Sequence, residues 1–238
     1  MNDCRIWEID KGAFLPFDIV PSQNSNQVVS AIKQLDIPKN TSIYLRGSFL
    51  ETDILHPNSD VDFVIISETS VLELIQTINT HLAFINRPIE IVCLSSEDLH
   101  LSSTYRLLLH TRSLHIAGPE VVFDPVLANL ETMRGHYFHY KPHMLAATLS
   151  LSKPLRIMQL KQITRSYGIL HFMLDGSEFS RDIPTCLKWA NQMNKQNGAE
   201  LIRLWDTVDS LNAYMKEDLS VVKSVFLENS KLAMEMFK

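Results

Sequence analysis

The sequence predicts an α+β chain, with a mixed sheet and flanking helices in its first part and a helical bundle in its second. Three observations predict it. Short β-prone runs alternate with amphipathic stretches as far as Gly118, strand signals vanish beyond that point, and the pair Gly118-Pro119 punctuates the change. The boundary is expected near residue 124, giving segments 1–124 and 125–238. A chain of 238 residues with 45% hydrophobic and 21% charged residues has ordinary globular usage and enough length to bury a core, which excludes wholesale disorder.

Each element follows from a local pattern. Over 23–36, Val28, Val29, Ile32 and Leu35 form one helical stripe, and Pro38 ends it. Residues 42–45 are a short β-prone run stopped by Arg46-Gly47-Ser48, with a short helix expected over 49–53 and a loop at 56–59. Residues 60–66 (DVDFVII) read as a buried strand with acids at its start. Residues 71–82 read as an amphipathic helix, and 88–94 (PIEIVCL) as a second β-branched strand holding one acid and Cys93, which is expected to be buried and inert. Ser95 and Asp98 form a capping-box-like start to a helix running to about residue 109, and 114–117 is a last short strand. Beyond it, one long helix is expected over 145–174, kinked at Pro154, with further helices near 184–195, 199–215 and 218–236.

Charge and cysteine usage narrow the function classes. The net charge is −5, so a chain-wide basic surface for nucleic acid is absent and no extended nucleic-acid surface is expected. Residues 1–118 carry 8 Lys/Arg against 14 Asp/Glu, whereas 119–238 carry 14 against 13. Between Glu131 and Asp175 there is no carboxylate, while Arg134, Lys141, Lys153, Arg156, Lys161 and Arg165 all lie there. An acidic half and a locally basic helix suit a metal–polyphosphate complex, although a solvated helix face gives the same pattern. Three scattered cysteines exclude a zinc ribbon and suit a reducing compartment, so a cytoplasmic location is expected. The first ten residues carry three acids and do not read as a signal peptide, and no apolar run is long enough to span a membrane.

The chemistry concentrates in Ile43-Tyr44-Leu45-Arg46-Gly47-Ser48, eleven loop residues, and Asp60-Val61-Asp62. Acids two apart on a strand project from one face. Adjacent carboxylates repel unless a cation lies between them, and hard oxygen ligands favour Mg²⁺ or Mn²⁺ over zinc. Glu90 lies in the next apolar strand and completes a three-carboxylate site if the two strands adjoin. Gly47 permits close backbone approach, and Ser48 offers a hydroxyl to phosphate oxygens at the start of a short helix.

Gly47, Ser48, Asp60, Asp62 and Glu90 together resemble the motif set of the nucleotidyltransferase superfamily that includes DNA polymerase beta. That pattern is a strand, Gly-Ser, a loop, Asp-x-Asp with apolar flanks, and a third acid on a later strand. Ile116-Ala117-Gly118-Pro119, Phe123-Asp124-Pro125-Val126, Gly176, Ser180-Arg181 and Leu187-Lys188-Trp189-Ala190 are similar to the bacterial aminoglycoside adenylyltransferases. The resemblance covers most of residues 40–195. It departs at Gly168, where those enzymes place a basic residue on the long helix, and at Arg181, where they commonly have lysine.

The resemblance implies transfer of a nucleoside monophosphate, AMP from ATP, to a hydroxyl of a small molecule such as an aminoglycoside, with pyrophosphate leaving. It implies two Mg²⁺ ions on Asp60 and Asp62, with Glu90 as shared ligand or general base. Ser48 and Gly47 would hold phosphates, with Lys161, one helical turn before Arg165, and Arg181 as further nucleotide contacts. The other readings are a toxin-type nucleotidyltransferase acting on protein or tRNA, and a non-catalytic nucleotide-binding regulator. Elsewhere, His136, His139 and His143 invite a metal, but Pro142 interrupts their spacing; an interdomain contact, or stacking of Tyr137 or Tyr140 on a ligand, is the stronger expectation. Trp189 and Trp205 are expected as core anchors.

Overall fold

The computed structural model describes residues 6–51, 60–147, 153–208 and 216–238. Cys4, Asp53 and the loop at 56–59 lie outside them. The chain divides into two compact units: Ala13–Val126, and a second formed by the residues up to Gly12 together with Leu127–Lys238. Three two-residue strands come first: β1 (Ile6–Trp7), β2 (Ile9–Asp10) and β3 (Ala13–Phe14).

The first unit is built on a four-stranded sheet. Its elements are α1 (Gln23–Ile32), β4 (Thr41–Arg46), α2 (Ser48–Glu51), β5 (Val61–Ser67), α3 (Leu72–His81), a 3-10 turn at Ala83–Ile85, β6 (Ile89–Leu94), α4 (Ser96–Leu101), α5 (Ser103–Thr111) and β7 (Ser113–Ala117). The strand order is β6-β5-β4-β7; β4 runs antiparallel to both β5 and β7, while β5 and β6 are parallel. The parallel pair needs a crossover, and α3 supplies it. Val61, Phe63 and Ile65 point to one face, where Val28 and Ile32 of α1 and Leu74 and Ile78 of α3 cover them. Val64 and Ile66 point to the other, against Tyr44, Leu99 and Leu109. A strand buried on both faces reads as a continuous apolar run, which is what residues 63–66 show.

The helix expected from Ser95 to about residue 109 is two helices. Ser95 and Asp98 form the full capping box of α4, but Ser102 adopts an extended conformation and caps α5 by accepting from the Tyr105 amide. A serine side chain that competes for backbone partners breaks the run there. Strand β6 is also not fully buried. It lies at the sheet edge, and Cys93 is exposed rather than interior.

The second unit is helical, with α6 (Leu130–Ala147), α7 (Lys153–Asp175), α8 (Ile183–Met193), α9 (Lys195–Val208) and α10 (Lys216–Met236). Of the single kinked helix expected over 145–174, residues 148–152 lie outside the described residues; α6, which starts at Leu130 and has Pro142 inside it, covers 145–147, and α7, with Pro154 as its second described residue, covers the rest. One strand, β8 (Phe179–Ser180), does occur beyond Gly118 and pairs antiparallel with β1, placing the Trp7 ring 4.9 Å from that of Phe179. A Cβ on Gly168 would collide with the Ser180 carbonyl, so the close packing of β8 on α7 requires glycine there.

Tyr137 is buried, and its hydroxyl donates to Asn229 Oδ1 at 2.9 Å, while Asn229 Nδ2 donates to Ser166 Oγ at 2.9 Å, tying α6, α10 and α7 together. Tyr140 is buried as well, so both rings are core residues rather than exposed stacking platforms. Trp189 is buried, and Trp205 is half-buried with its indole N–H on Thr164 Oγ1 at 2.9 Å. Among the described residues, no helix is long and apolar enough to cross a membrane. The fold class is the α+β arrangement expected from the sequence, a mixed sheet with flanking helices and a helical C-terminal part.

Candidate active site

One row across the sheet carries the site. Arg46 on β4 pairs with Ser113 on β7 and Asp62 on β5, and Asp62 pairs with Glu90 on β6. Register partners share a face, so Arg46, Asp62 and Glu90 project from the same side as Tyr44 and Val64. Asp60, two residues before Asp62, points the same way. The carboxylates of Asp60, Asp62 and Glu90 each bring an oxygen within 4.8 Å of the others. Asp60 and Asp62 are half-buried and Glu90 is exposed, as its edge strand dictates.

The turn after β4 is fixed from two directions. Gly47 has φ +83°, in the left-handed region, and a Cβ on it would collide with Asp62 Oδ2. Only glycine satisfies both conditions. From the other side, Ser22 caps α1 by accepting from the Ser25 amide at 3.0 Å, while its hydroxyl donates to the Phe49 carbonyl at 3.0 Å. The Ser22 amide donates to the Leu50 carbonyl. Phe49 and Leu50 are buried, which leaves Ser48 exposed at the head of α2.

In the sequence Arg46 reads only as part of a strand stop. Its Nη2 lies 3.3 Å from Asp62 Oδ1, with both side chains largely enclosed. The available signal was its position: it ends the β-prone run on the same alternation as Tyr44, one residue before Gly47.

The donor set fits a hard divalent cation. Three carboxylates, with no nitrogen or sulfur ligand among the described residues, are the ligand chemistry of Mg²⁺ or Mn²⁺. Oxygens on opposite sides of a Mg²⁺ are about 4 Å apart, so small rotamer changes bring all three carboxylates into range.

The basic residues expected to contact nucleotide belong to the helical unit. Lys161 and Arg165 lie one turn apart on α7, and the Arg165 Nε donates to the Arg181 carbonyl at 3.2 Å. The Arg181 guanidinium lies 5.4 Å from the centre of the Tyr140 ring. Beside them, burial holds the His136 imidazole well below its ordinary range, and the charges of Arg181, His139 and Arg165 press the same way. Burial pushes the Cys186 thiol up to about 12, which leaves it protonated and unreactive. His136 packs edge-on against Tyr140 and Phe179, as a core residue does.

No protein-family model matches the chain, and no curated protein matches it by sequence. Among solved structures it is similar to the spectinomycin adenyltransferase AAD(9) from Enterococcus faecialis, solved with ATP and spectinomycin. The identity is 14%, the TM-score is 0.53, and the match covers 90% of this chain and 99% of that one. The likeness is one of fold.

Proposed function

We propose that this chain is a Mg²⁺-dependent nucleotidyltransferase that moves AMP from ATP to a hydroxyl of a small cationic acceptor of the aminoglycoside class, releasing pyrophosphate. The observation that carries the reading is the convergence of Asp60, Asp62 and Glu90 from adjacent strands, with the Gly47 turn packed against Asp62. The fold it shares with an adenyltransferase solved with ATP and spectinomycin supports the reading, as does the acidic N-terminal half, which favours a cationic acceptor.

Asp60 and Asp62, with Glu90 at the third side, would hold two divalent ions. When bound, these supply charge neutralisation at the phosphates and acidify the acceptor hydroxyl. The reaction forms one bond from the acceptor oxygen to the α-phosphorus and breaks the bond from that phosphorus to the pyrophosphate oxygen. Glu90 takes the hydroxyl proton, and its exposure on the edge strand lets it pass that proton to water. Gly47 and Ser48 position the terminal phosphates. Lys161, Arg165 and Arg181 supply the positive charge that offsets the triphosphate and the departing pyrophosphate.

The test is incubation of the purified protein with Mg²⁺, α-labelled ATP and a panel of aminoglycosides, with Asp62→Asn as control. Label in a small-molecule product and release of pyrophosphate, both lost in Asp62→Asn, are expected. Label entering protein or RNA from a cell lysate instead would move the assignment to a toxin-type transferase. Binding of Mg²⁺–ATP with no turnover would move it to a nucleotide-binding regulator.

A further inference from the structure

We propose that Arg46 is a positioning residue that acts as a built-in counter-ion at the acid cluster, so that the cluster binds a bare divalent ion weakly and takes up metal together with its nucleotide. The proposal rests on the reading of Asp60, Asp62 and Glu90 as metal-binding. Arg46 and Asp62 face each other in the β4–β5 pairing, with Nη2 3.3 Å from Oδ1 and side-chain exposures of 17% and 14%. The Arg46 Nε is buried and makes no hydrogen bond, so on the described residues the guanidinium is aimed by its carboxylate rather than by an acceptor at Nε. The other carboxylate oxygen of Asp62 abuts Gly47. Asp62 is thus confined on its β4 side, and one of its oxygens lies within 4.8 Å of an oxygen of Asp60 and of Glu90.

Charge arithmetic gives the consequence. Among the described residues, three carboxylates and one guanidinium leave two negative charges, one fewer than the acids alone would offer a bare cation. A bare ion is therefore held weakly, and an ion that brings the anionic triphosphate's oxygens as further ligands enters more favourably. Removing the guanidinium leaves three negative charges, strengthens attraction for a bare cation, and strains the metal-free cluster through mutual repulsion.

The test uses the full chain without nucleotide and counts free Mn²⁺ by electron paramagnetic resonance. Arg46→Met is expected to bind Mn²⁺ about ten-fold more tightly than wild type, the size of effect one neighbouring charge exerts on a carboxylate. Its melting temperature should fall without Mn²⁺ and recover with it. Arg46→Lys, which keeps the charge, should bind close to wild type, and Arg46→Gln provides a second charge-removing variant if Arg46→Met does not fold. In an Asp62→Asn background, removing the Arg46 charge should shift Mn²⁺ affinity much less. Wild-type affinity in both charge-removing variants, alongside weakened binding in Asp60→Asn, would overturn the role of Arg46 alone. Mn²⁺ binding indifferent to Asp60→Asn and Glu90→Gln would overturn the metal reading and this inference together.

Discussion

The Cα of Gly47 lies against the carboxylate of Asp62, in space that any side chain at position 47 would need. With its φ of +83°, the turn therefore has two independent reasons to be glycine. Gly47→Ala should lose about 1–2 kcal/mol of stability from backbone strain. By displacing Asp62 it should also lower AMP transfer by about 100-fold or more. Chemical denaturation and initial rates with labelled ATP measure the two effects separately. A fall in stability with transfer unchanged would show that Asp62 is not held by this contact.

Glu90 offers the opposite case. Because it is exposed on an edge strand, Glu90→Gln should change stability by no more than about 0.5 kcal/mol. Transfer should fall about 10²- to 10⁴-fold, the range of a lost general base. Transfer retained at the wild-type rate in the variant would assign the proton to another group.

Ser22 couples a helix cap to the turn that carries Ser48. Ser22→Ala removes the acceptor for the Ser25 amide and the donor to the Phe49 carbonyl, and should cost about 1–2 kcal/mol. Ser30→Ala, which removes only an exposed bond to the Asn26 carbonyl, is the control and should cost less than about 0.5 kcal/mol. The KM for ATP should rise in Ser22→Ala and stay level in Ser30→Ala, which steady-state kinetics can check.

His136 makes the helical unit acid-sensitive. Burial, then Arg181, His139 and Arg165, holds its imidazole well below the ordinary 6.5, so the unfolded chain binds a proton there that the folded chain refuses. The contribution is fully present above 6.5 and is lost as pH falls below that value towards the depressed folded-state pKa. His171, on α7 of the same unit, is shifted the same way by burial and adds to the slope. Urea unfolding at pH 7.5, 6.5 and 5.5 should show a steeper loss in wild type than in His136→Gln. Parallel slopes would remove His136 as a source of the acid sensitivity.

What the sequence made legible was what depends on local pattern. Residues 63–66 advertise a central strand because both of their faces are apolar, and acids at 60 and 62 share a face by alternation alone. Glu90 was visible as an acid within a β-branched run, but its adjacency to Asp62 depends on pairing across a crossover, which no local pattern encodes. The same applies to Arg46: a strand-ending arginine has the same local appearance whether it meets solvent or a carboxylate. Strand β8 was missed because two residues carry no period, and the break at Ser102 because a serine inside an apolar helical pattern is silent until its side chain takes the Tyr105 amide. Gly168 marked a departure from a family pattern, and its cause lies in the Ser180 backbone, twelve positions later in the sequence.

The parallel alignment of β6 on β5 makes the acid cluster an all-or-nothing property. Sliding β6 by a single residue would rotate Glu90 to the side occupied by α3 and bring an isoleucine round towards Asp60 and Asp62, since Ile89 and Ile91 flank it. The hydrogen bond from the Val61 amide to the Pro88 carbonyl continues this alignment at the strand's leading end. An inserted or deleted residue between 82 and 89 that shifted this alignment would therefore abolish the chemistry without touching any of the three acids, whereas length changes that preserve it would be silent.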